Sequence, residues 1–312
     1  MRIAVIYGGT SAESEVSRES GKSIARGLRQ AGHQVHEFDI SESEVLSKLN
    51  ELKTFDVVFI GYHGGFGEDG RIQAILEVAG IKFTGSGSLA SALGMNKILS
   101  KIIFEHYGIP TPRWSVFRAN ELSKERLTDF LAANDFEFPL VTKPECQGST
   151  VGVTIVNSVD ELADGIKTAG KFGENVIIEE YIPGKEISVG ILGKSALPPI
   201  EIVPKSGFYD YKHKYTHGLT EYICPASLAD EQVRRFKKLA LKAFNALGCR
   251  GYGRVDFRLS DEGEIYCLEV NTLPGMTDLS LVPMAAKAVG IDFPQLLDRI
   301  VELSLEGGDK NV

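Results

Sequence analysis

Residues 254–271 read RVDFRLSDEGEIYCLEVN. The two flanks, RVDFRL and EIYCLEVN, alternate and are rich in β-branched and aromatic residues. The polar SDEGE between them has turn chemistry, with Gly263 available for a positive φ. The stretch therefore predicts a β-hairpin. With Glu262-Gly263 as a two-residue loop, Asp256 faces Glu269 and Arg254 faces Asn271. Side chains two apart share a strand face. Arg254, Asp256, Glu269 and Asn271 then form one polar cluster, and Val255, Phe257, Leu268 and Val270 point the other way. Cys267 falls on the polar side of that register, where core or neutral filler is the simpler role. Like charges directly opposite are unfavourable, so a positive group is expected between the two acids. Arg254 is one candidate. A divalent metal is the other, because hard cations take oxygen ligands and Mg²⁺ often uses one or two carboxylates plus phosphate. A solvated sheet face is the plain alternative, and the hairpin alone does not choose.

The bulk numbers set the frame around this hairpin. At 312 residues the chain exceeds one ordinary core, so two or three domains are expected. Hydrophobic content of 43% and charged content of 24% are those of a soluble globular protein. A net charge of −8 argues against nucleic-acid or membrane-surface binding in bulk, though not against a local basic pocket. No apolar run is long enough to span a bilayer. MRIAVIYGG has one basic residue and runs straight into a strand-turn pattern, so it does not read as a signal peptide. Cys146, Cys224, Cys249 and Cys267 lack metal-motif spacing and read as reduced thiols, which points to the cytoplasm.

Upstream, the first hundred or so residues alternate strand and helix: RIAVIYG, a helix through ESEVSRESGKSIARGLRQAG, then QVHEFDI, FDVVFIGYH and a helix through IQAILEVAG. That order predicts a parallel sheet. NKILSKIIFEHYG is a helix closed by Gly108 and Pro110. Strands follow at RWSVF, PLVTKP and GVTIV, with helices near 123–133 and 160–169, and then NVIIEEYI, KEISVGILG and PIEIVP. KSGFYDYKHKYTHGLT has no periodicity, and such long loops are usually functional or disordered. A helix over 230–247 precedes the hairpin, and helices continue to about 306. No repeat or low-complexity tract is evident.

Five stretches can carry chemistry, and each has an ordinary structural explanation. YGGTSAESEVS lies between a strand and a helix, where glycines commonly cradle anions, but it lacks GxGxxG. Glu13 there would hold a cation such as an ammonium; alternatively Thr10-x-x-Glu13 is a capping box. HGGFGEDG places His63 at a strand's C-terminal edge, where open α/β sheets bind ligands, although a lone histidine is more often structural. KPECQGSTVGV sets Lys143 at a strand end before a small-residue loop suited to phosphates, or is a surface hairpin. In IIEEYIPGKEI, residues Glu179 to Ile182 would present backbone groups along a strand edge, and Glu186 suits ribose hydroxyls; read alone it is an ordinary hairpin. TLPGMTDLSL sets Ser280 before a helix at Leu281, a carboxylate site or a simple N-cap. Together the pieces describe one phosphoryl-transfer site built by positioning and charge.

The motifs GGTSAESEVS, HGGFGEDG, TGSGSLASALGMNK, VTKPECQGSTVGV, FYDYKHKY, CPA, GYGRVDFR and LEVNTLPGMTDLSLVP resemble, in order and over nearly the whole chain, the D-alanine–D-alanine ligase family of the ATP-grasp superfamily. The resemblance implies a mixed α/β and α+β ATP-grasp fold. Its expected parts are a parallel-sheet, Rossmann-like N-terminal domain (1–95), a central subdomain (96–182) and a C-terminal subdomain (183–312) carrying an omega-type loop and the metal site. ATP would lie between the last two. Lys97 and Lys143 match phosphate-binding lysines, and Lys214 matches a loop lysine near the γ-phosphate. Glu179, Glu180, Ile182 and Glu186 match the adenosine-binding stretch. Asp256, Glu269 and Asn271 match the ligands of two Mg²⁺ (or Mn²⁺) ions.

The implied reaction makes an acyl phosphate from one D-alanine and then attacks it with the amine of a second, for peptidoglycan precursor synthesis. Glu13 matches the group that binds the first ammonium, with Ser149 and Tyr215 as its hydrogen-bonded companions. Arg254 and the Gly275 N–H match oxyanion-stabilising groups. Ser280 and Leu281 match the second carboxylate site, and His63 lies in a matching substrate-side loop. Tyr215 favours the dipeptide over a D-lactate product, a D-serine ligase being a further alternative. The Glu145-Cys146-Gln147 stretch bears on flap mobility. A homodimer is the family expectation, with no nucleic-acid or membrane partner.

Overall fold

The structure of the protein, a computed structural model, describes residues 1–11, 13–205 and 218–306. It opens with a parallel sheet of β1 (Arg2–Gly8), β2 (Gln34–Ile40) and β3 (Val57–Ile60) in the order β2-β1-β3. β1 is buried along almost its whole length, as a central parallel strand covered on both faces should be. Helices α1 (Ser14–Gln30), α2 (Glu42–Leu52), α3 (Arg71–Val78) and α4 (Ser88–Met95) belong to this part of the chain. Gly21 lets α1 lie hard against β1: a Cβ there would sit 2.1 Å from the Tyr7 ring. The sequence did not announce α2 or α4. α2 buries only Val45 and Leu52, so its apolar stripe is faint, and α4 is written in small residues.

After α5 (Lys97–His106) comes an antiparallel sheet of β4 (Trp114–Arg118), β5 (Leu140–Pro144), β6 (Thr154–Val156) and β7 (Asn175–Glu180), in the order β4-β7-β5-β6. Helices α6 (Lys124–Asn134) and α7 (Val159–Ala169) close a core around Phe117, Leu140, Ile166 and Ile178. A third, antiparallel sheet holds β8 (Lys185–Leu192), β10 (Ile200–Pro204), β11 (Thr220–Ile223), β12 (Tyr252–Leu259) and β13 (Ile265–Asn271), in the order β11-β10-β8-β12-β13, with the short β9 (Ser195–Ala196) on β8. α8 (Asp230–Ala246) packs its Phe236 and Phe244 against Val255 and Phe257 of this sheet. Phe257 is fully buried, which is worth about 1.5–3 kcal/mol relative to an exposed ring. The last helices, α9 (Leu281–Lys287) and α10 (Phe293–Glu306), join the core of the first sheet, where Leu297 and Phe293 reach Gly27 of α1.

Two expectations are corrected by this topology. Glu179 does not lie at a strand edge: β7 is flanked by β4 and β5, pairing Glu179 with both Trp114 and Val141. Nor is residues 175–192 a hairpin, because β7 and β8 belong to different sheets and residues 181–184 carry the chain from one to the other. The stretch over residues 179–186 is therefore a crossing between layers, and a cleft lies between them.

The opening hairpin forms with the expected acid pairing, by a different route. Asp256 does face Glu269, and Arg254 faces Asn271. The turn, however, is longer than two residues. Leu259 pairs with Ile265, the Ser260 N–H donates to the Glu264 carbonyl at 2.8 Å, and Gly263 sits at φ +87°. A β-bulge between Asp256 and Phe257 restores the register by leaving Leu268 over. The faces of two residues consequently exchange. Cys267 is fully buried beside Phe257, and Leu268 lines the cleft instead of the core.

Candidate functional site: two cavities with a shared charged wall

Two adjoining cavities, of about 480 Å³ and 110 Å³, are both lined by Lys97 and Glu269. These side chains form an ion pair at 3.1 Å. Lys97 opens α5, and its ammonium also donates to the Gln147 carbonyl at 2.7 Å. The partition between the cavities is thus a helix start, a flap and strand β13 tied together by one lysine.

The smaller cavity lies between the two antiparallel sheets. Lys143, Glu179, Glu180, Ile182, Glu186, Asp256 and Leu268 all line it. In its wall Glu179 is held by Lys143 and, from behind at 3.0 Å, by Lys101. Burial pushes the Glu179 carboxyl up, but the two lysines outweigh it and hold the group below the ordinary carboxylate range. Burial also lowers the Lys101 ammonium, against the opposing pull of Glu179. Arg258 donates to the Ile182 carbonyl at 3.0 Å and the Gly184 carbonyl at 2.8 Å, and lies 3.8 Å from Glu186. It fixes the sheet-to-sheet crossing that carries Ile182 and leads into Glu186 of β8.

The larger cavity gathers Glu13, His63, Ser149, Arg254, Asn271, Gly275, Ser280 and Leu281 from segments spread along nearly the whole chain. The capping-box explanation of Glu13 does not hold. The Thr10 N–H and hydroxyl both donate to Glu42, at 3.0 and 3.1 Å, and the Glu13 side chain makes no cap hydrogen bond. Glu13 instead accepts from the Ser149 hydroxyl. Ser149 and Thr150 are held at φ 52° and 60°, left-handed backbone that non-glycine residues adopt at a cost of about 1–3 kcal/mol each. His63 is buried, with Nε2 2.9 Å from the Ser20 hydroxyl and Nδ1 3.4 Å from Glu68. Ser280 stands at the N-cap position of α9, but its hydroxyl serves Thr277 rather than the helix, accepting from the Thr277 N–H at 3.0 Å. Gly275 approaches so closely that a Cβ would lie 3.2 Å from the Ser280 Oγ.

The positive charge required between the facing acids is supplied twice by the protein itself. Arg254 chelates Asp256 through Nε at 2.9 Å and Nη2 at 2.8 Å, and Ser188 adds a hydroxyl at 2.7 Å. Lys97 takes Glu269. Among the described residues no group of three His, Cys, Asp or Glu side chains is placed to hold a metal. A metal site here would need Asn271 as its third member. That donor set, two carboxylates and a carboxamide with no nitrogen or sulfur ligand, fits a hard cation such as Mg²⁺ or Mn²⁺. Lys214 and Tyr215 lie outside the described residues.

Two contributors were not singled out in the linear sequence, and a third, Gly64, was read only as one of the HGGFGEDG glycines that imply a tight backbone approach or a mobile loop. Lys101 falls one turn beyond Lys97 on α5, so its face was readable but its burial was not. Arg258 continues the alternation of Arg254 and Asp256 on β12. Gly64, at φ +73°, passes Glu13 so closely that a Cβ would stand 2.6 Å from its carboxylate oxygen. Glu145 also has a definite job: it accepts from Asn96 at 2.7 Å and Asn175 at 3.0 Å, fastening the flap base to α5 and β7.

Comparison with known proteins places the chain in a family. The family model described as D-ala D-ala ligase C-terminus matches residues 103–302, and D-ala D-ala ligase N-terminus matches residues 42–86. A curated D-alanine–D-alanine ligase of Syntrophotalea carbinolica is 45% identical over 300 residues, covering 96% of this chain and 95% of its own. The crystal structure of a Bacillus anthracis D-alanine–D-alanine ligase complexed with ATP superposes with a TM-score of 0.86 at 36% identity, covering 99% of both chains. The Enterococcus faecalis VanG D-Ala:D-Ser ligase is similar at a TM-score of 0.85 and 32% identity, over 97% of this chain and 99% of its own. Matched along both halves by the family models and along nearly its full length by these relatives, the chain belongs to the D-alanine–D-alanine ligase family and has its ATP-grasp fold.

Proposed function

We propose that the protein joins two D-alanine molecules to D-alanyl-D-alanine, converting ATP to ADP and phosphate, as a step in peptidoglycan precursor synthesis. The observation that carries this reading is the shared Lys97–Glu269 wall, which sets a lysine-backed cleft beside a carboxylate- and arginine-lined cavity. Such a pair of cavities suits transfer of a phosphoryl group from a nucleotide in one to a carboxylate in the other.

In the first step a carboxylate oxygen of one D-alanine attacks the γ-phosphorus, the bond to the β-phosphate oxygen breaks, and ADP leaves. Lys97 and Lys143, with Lys214, offset the repulsion between the two anions. Glu186 and the backbone around Ile182 hold the adenosine, with Glu179 and Glu180 in its wall. Glu13 holds the ammonium of the first D-alanine, with Ser149 and Tyr215 as companions and His63 on the same side. In the second step the amine of the other D-alanine attacks the acyl carbon and phosphate leaves through a tetrahedral intermediate. Arg254 and the Gly275 N–H stabilise the oxyanion. Ser280 and Leu281 hold the second carboxylate. Asp256, Glu269 and Asn271 would hold Mg²⁺ or Mn²⁺, which when bound screens the phosphate charge.

The same reading takes residues 1–95 as the substrate domain and 96–182 with 183–312 as the two halves of the nucleotide grip. It takes the protein as a cytoplasmic homodimer, which sedimentation at working concentration checks. No helix among the described residues is long and apolar enough to cross a membrane. The deciding experiment measures phosphate release with ATP and D-alanine alone, and then with D-lactate or D-serine added. Release with D-alanine alone and a dipeptide product are expected. Preference for a mixed product would replace the dipeptide by an ester or a D-serine product, and no ATP-dependent release in any arm would end the proposal.

A further inference from the structure

Lys101 takes no part in the chemistry above and does not line either cavity. Its side chain is only 1% exposed, and that of Glu179, its partner at 3.0 Å, is 2%. Beside this ion pair its ammonium donates to the Thr111 hydroxyl at 2.6 Å. A fully buried ammonium is costly, and a methionine would fill the same space without that cost. The charges explain why a lysine stands there. Glu179 already meets Lys143, which does line the small cleft. With those two alone, the wall would be a neutral pair. With Lys101 added, two cations share one anion and the wall keeps one positive charge facing the cleft. In a low-dielectric interior such a charge acts on a bound anion with little screening.

Building on the nucleotide reading, we propose that Lys101 is a positioning residue: a buried counter-ion that neutralises Glu179 so that the charge of Lys143 remains available to the nucleotide phosphates. Glu179 is the pivot of the arrangement. One of its lysines is committed to it from behind, and the other is presented to the ligand. Lys97, one helical turn earlier, supplies the rim of the same cleft from the same face of α5. A single helix would thereby deliver one direct and one indirect phosphate charge.

The test measures equilibrium binding of Mg-ATP and of adenosine to the full-length wild type, Lys101→Met, Glu179→Gln and the double variant, with thermal unfolding run alongside. Lys101→Met is expected to weaken ATP by about tenfold or more while adenosine stays within about twofold, since only the phosphates feel the lost charge. In the Glu179→Gln background the same change is expected to cost less than about threefold, because a buried Lys101 without its carboxylate partner sheds its proton and carries no charge to lose. Equal weakening of ATP and adenosine would mean a purely structural role and would overturn the inference. So would unchanged ATP binding, or the same cost in both backgrounds. If Lys101→Met does not fold, the double variant decides against Glu179→Gln: a preserved ATP-to-adenosine ratio supports the inference, and a tenfold fall overturns it. A wild type that binds no ATP would sink the nucleotide reading, and the inference with it. A wild type that binds ATP with Lys101→Met unaffected would sink the inference alone.

Discussion

The two cavities hold charge in different ways. The smaller one is walled largely by strands of two sheets, and its charges are tied down by buried side chains: Glu179 meets Lys143 and, from behind, Lys101, and Asp256 meets Arg254 of the neighbouring cavity. The larger one is bordered by loops, with hydroxyls, a strained flap and close glycines around Glu13. Strands bring charge to a defined place through register, whereas loops do so through backbone conformations that only certain residues tolerate. Changes on the strand side should therefore act through electrostatics, and changes on the loop side through geometry.

The largest effect is expected where the two meet. Arg254 lines the larger cavity while chelating Asp256 of the smaller. Arg254→Ala should lower kcat about 10²–10³-fold, the range for losing one oxyanion donor; steady-state kinetics with D-alanine checks it, and a loss under threefold would remove Arg254 from the second step. Glu269→Gln comes next, with turnover about 10–100-fold lower and a higher Mg²⁺ requirement, read from a metal titration. Unchanged metal dependence would break the strand-side account. On the loop side, Gly64→Ala places a methyl 2.6 Å from the Glu13 carboxylate at φ +73°. It should raise the KM for D-alanine about tenfold and leave the KM for ATP within about twofold, because geometry is disturbed on one side only. A parallel rise in both would erase the distinction between the cavities. Tyr215→Phe should cost only a few-fold, well below Arg254→Ala, since a lid contact meets less developing charge than an oxyanion donor.

The smallest effect concerns acid. The folded Glu179 carboxyl is held below its ordinary 4.5 by two lysines in spite of burial. A depressed carboxylate contributes stability that is present above its unfolded pKa and lost as pH falls through the folded value. The melting temperature of the wild type should accordingly fall faster below about pH 4.5 than that of Glu179→Gln. Equal slopes would show that the buried triad adds nothing to acid stability.

Much of the candidate site was legible because it follows a period. Alternation on Arg254–Leu259 and Ile265–Asn271 located both strands of the hairpin, and buried runs located β1 and β3. The facing of Asp256 and Glu269 was anticipated on a two-residue turn and an unbroken ladder. Both assumptions were off by one residue, and the deviations cancel at the acids but not at Cys267 and Leu268. Alternation reports which residues share a face within a strand; it does not report where a bulge resets the count between strands. Glu13 was ambiguous for a similar reason. A Thr-x-x-Glu spacing permits a capping box, and Glu42, from beyond β2, claims Thr10 first.

By itself, the sequence determined most of the elements and their order, though not α2 or α4, and the family to which the chain belongs, because periodicity and turn chemistry are local and the family's motifs are written in consecutive residues. Only the tertiary structure decided that β7 and β8 lie in separate sheets, that Lys101 is sealed behind Glu179, and that Gly64 presses on Glu13. The physical reason is that the strength of a charge or a contact depends on distance and on the exclusion of water. Both come into being only when segments far apart in the chain are packed together.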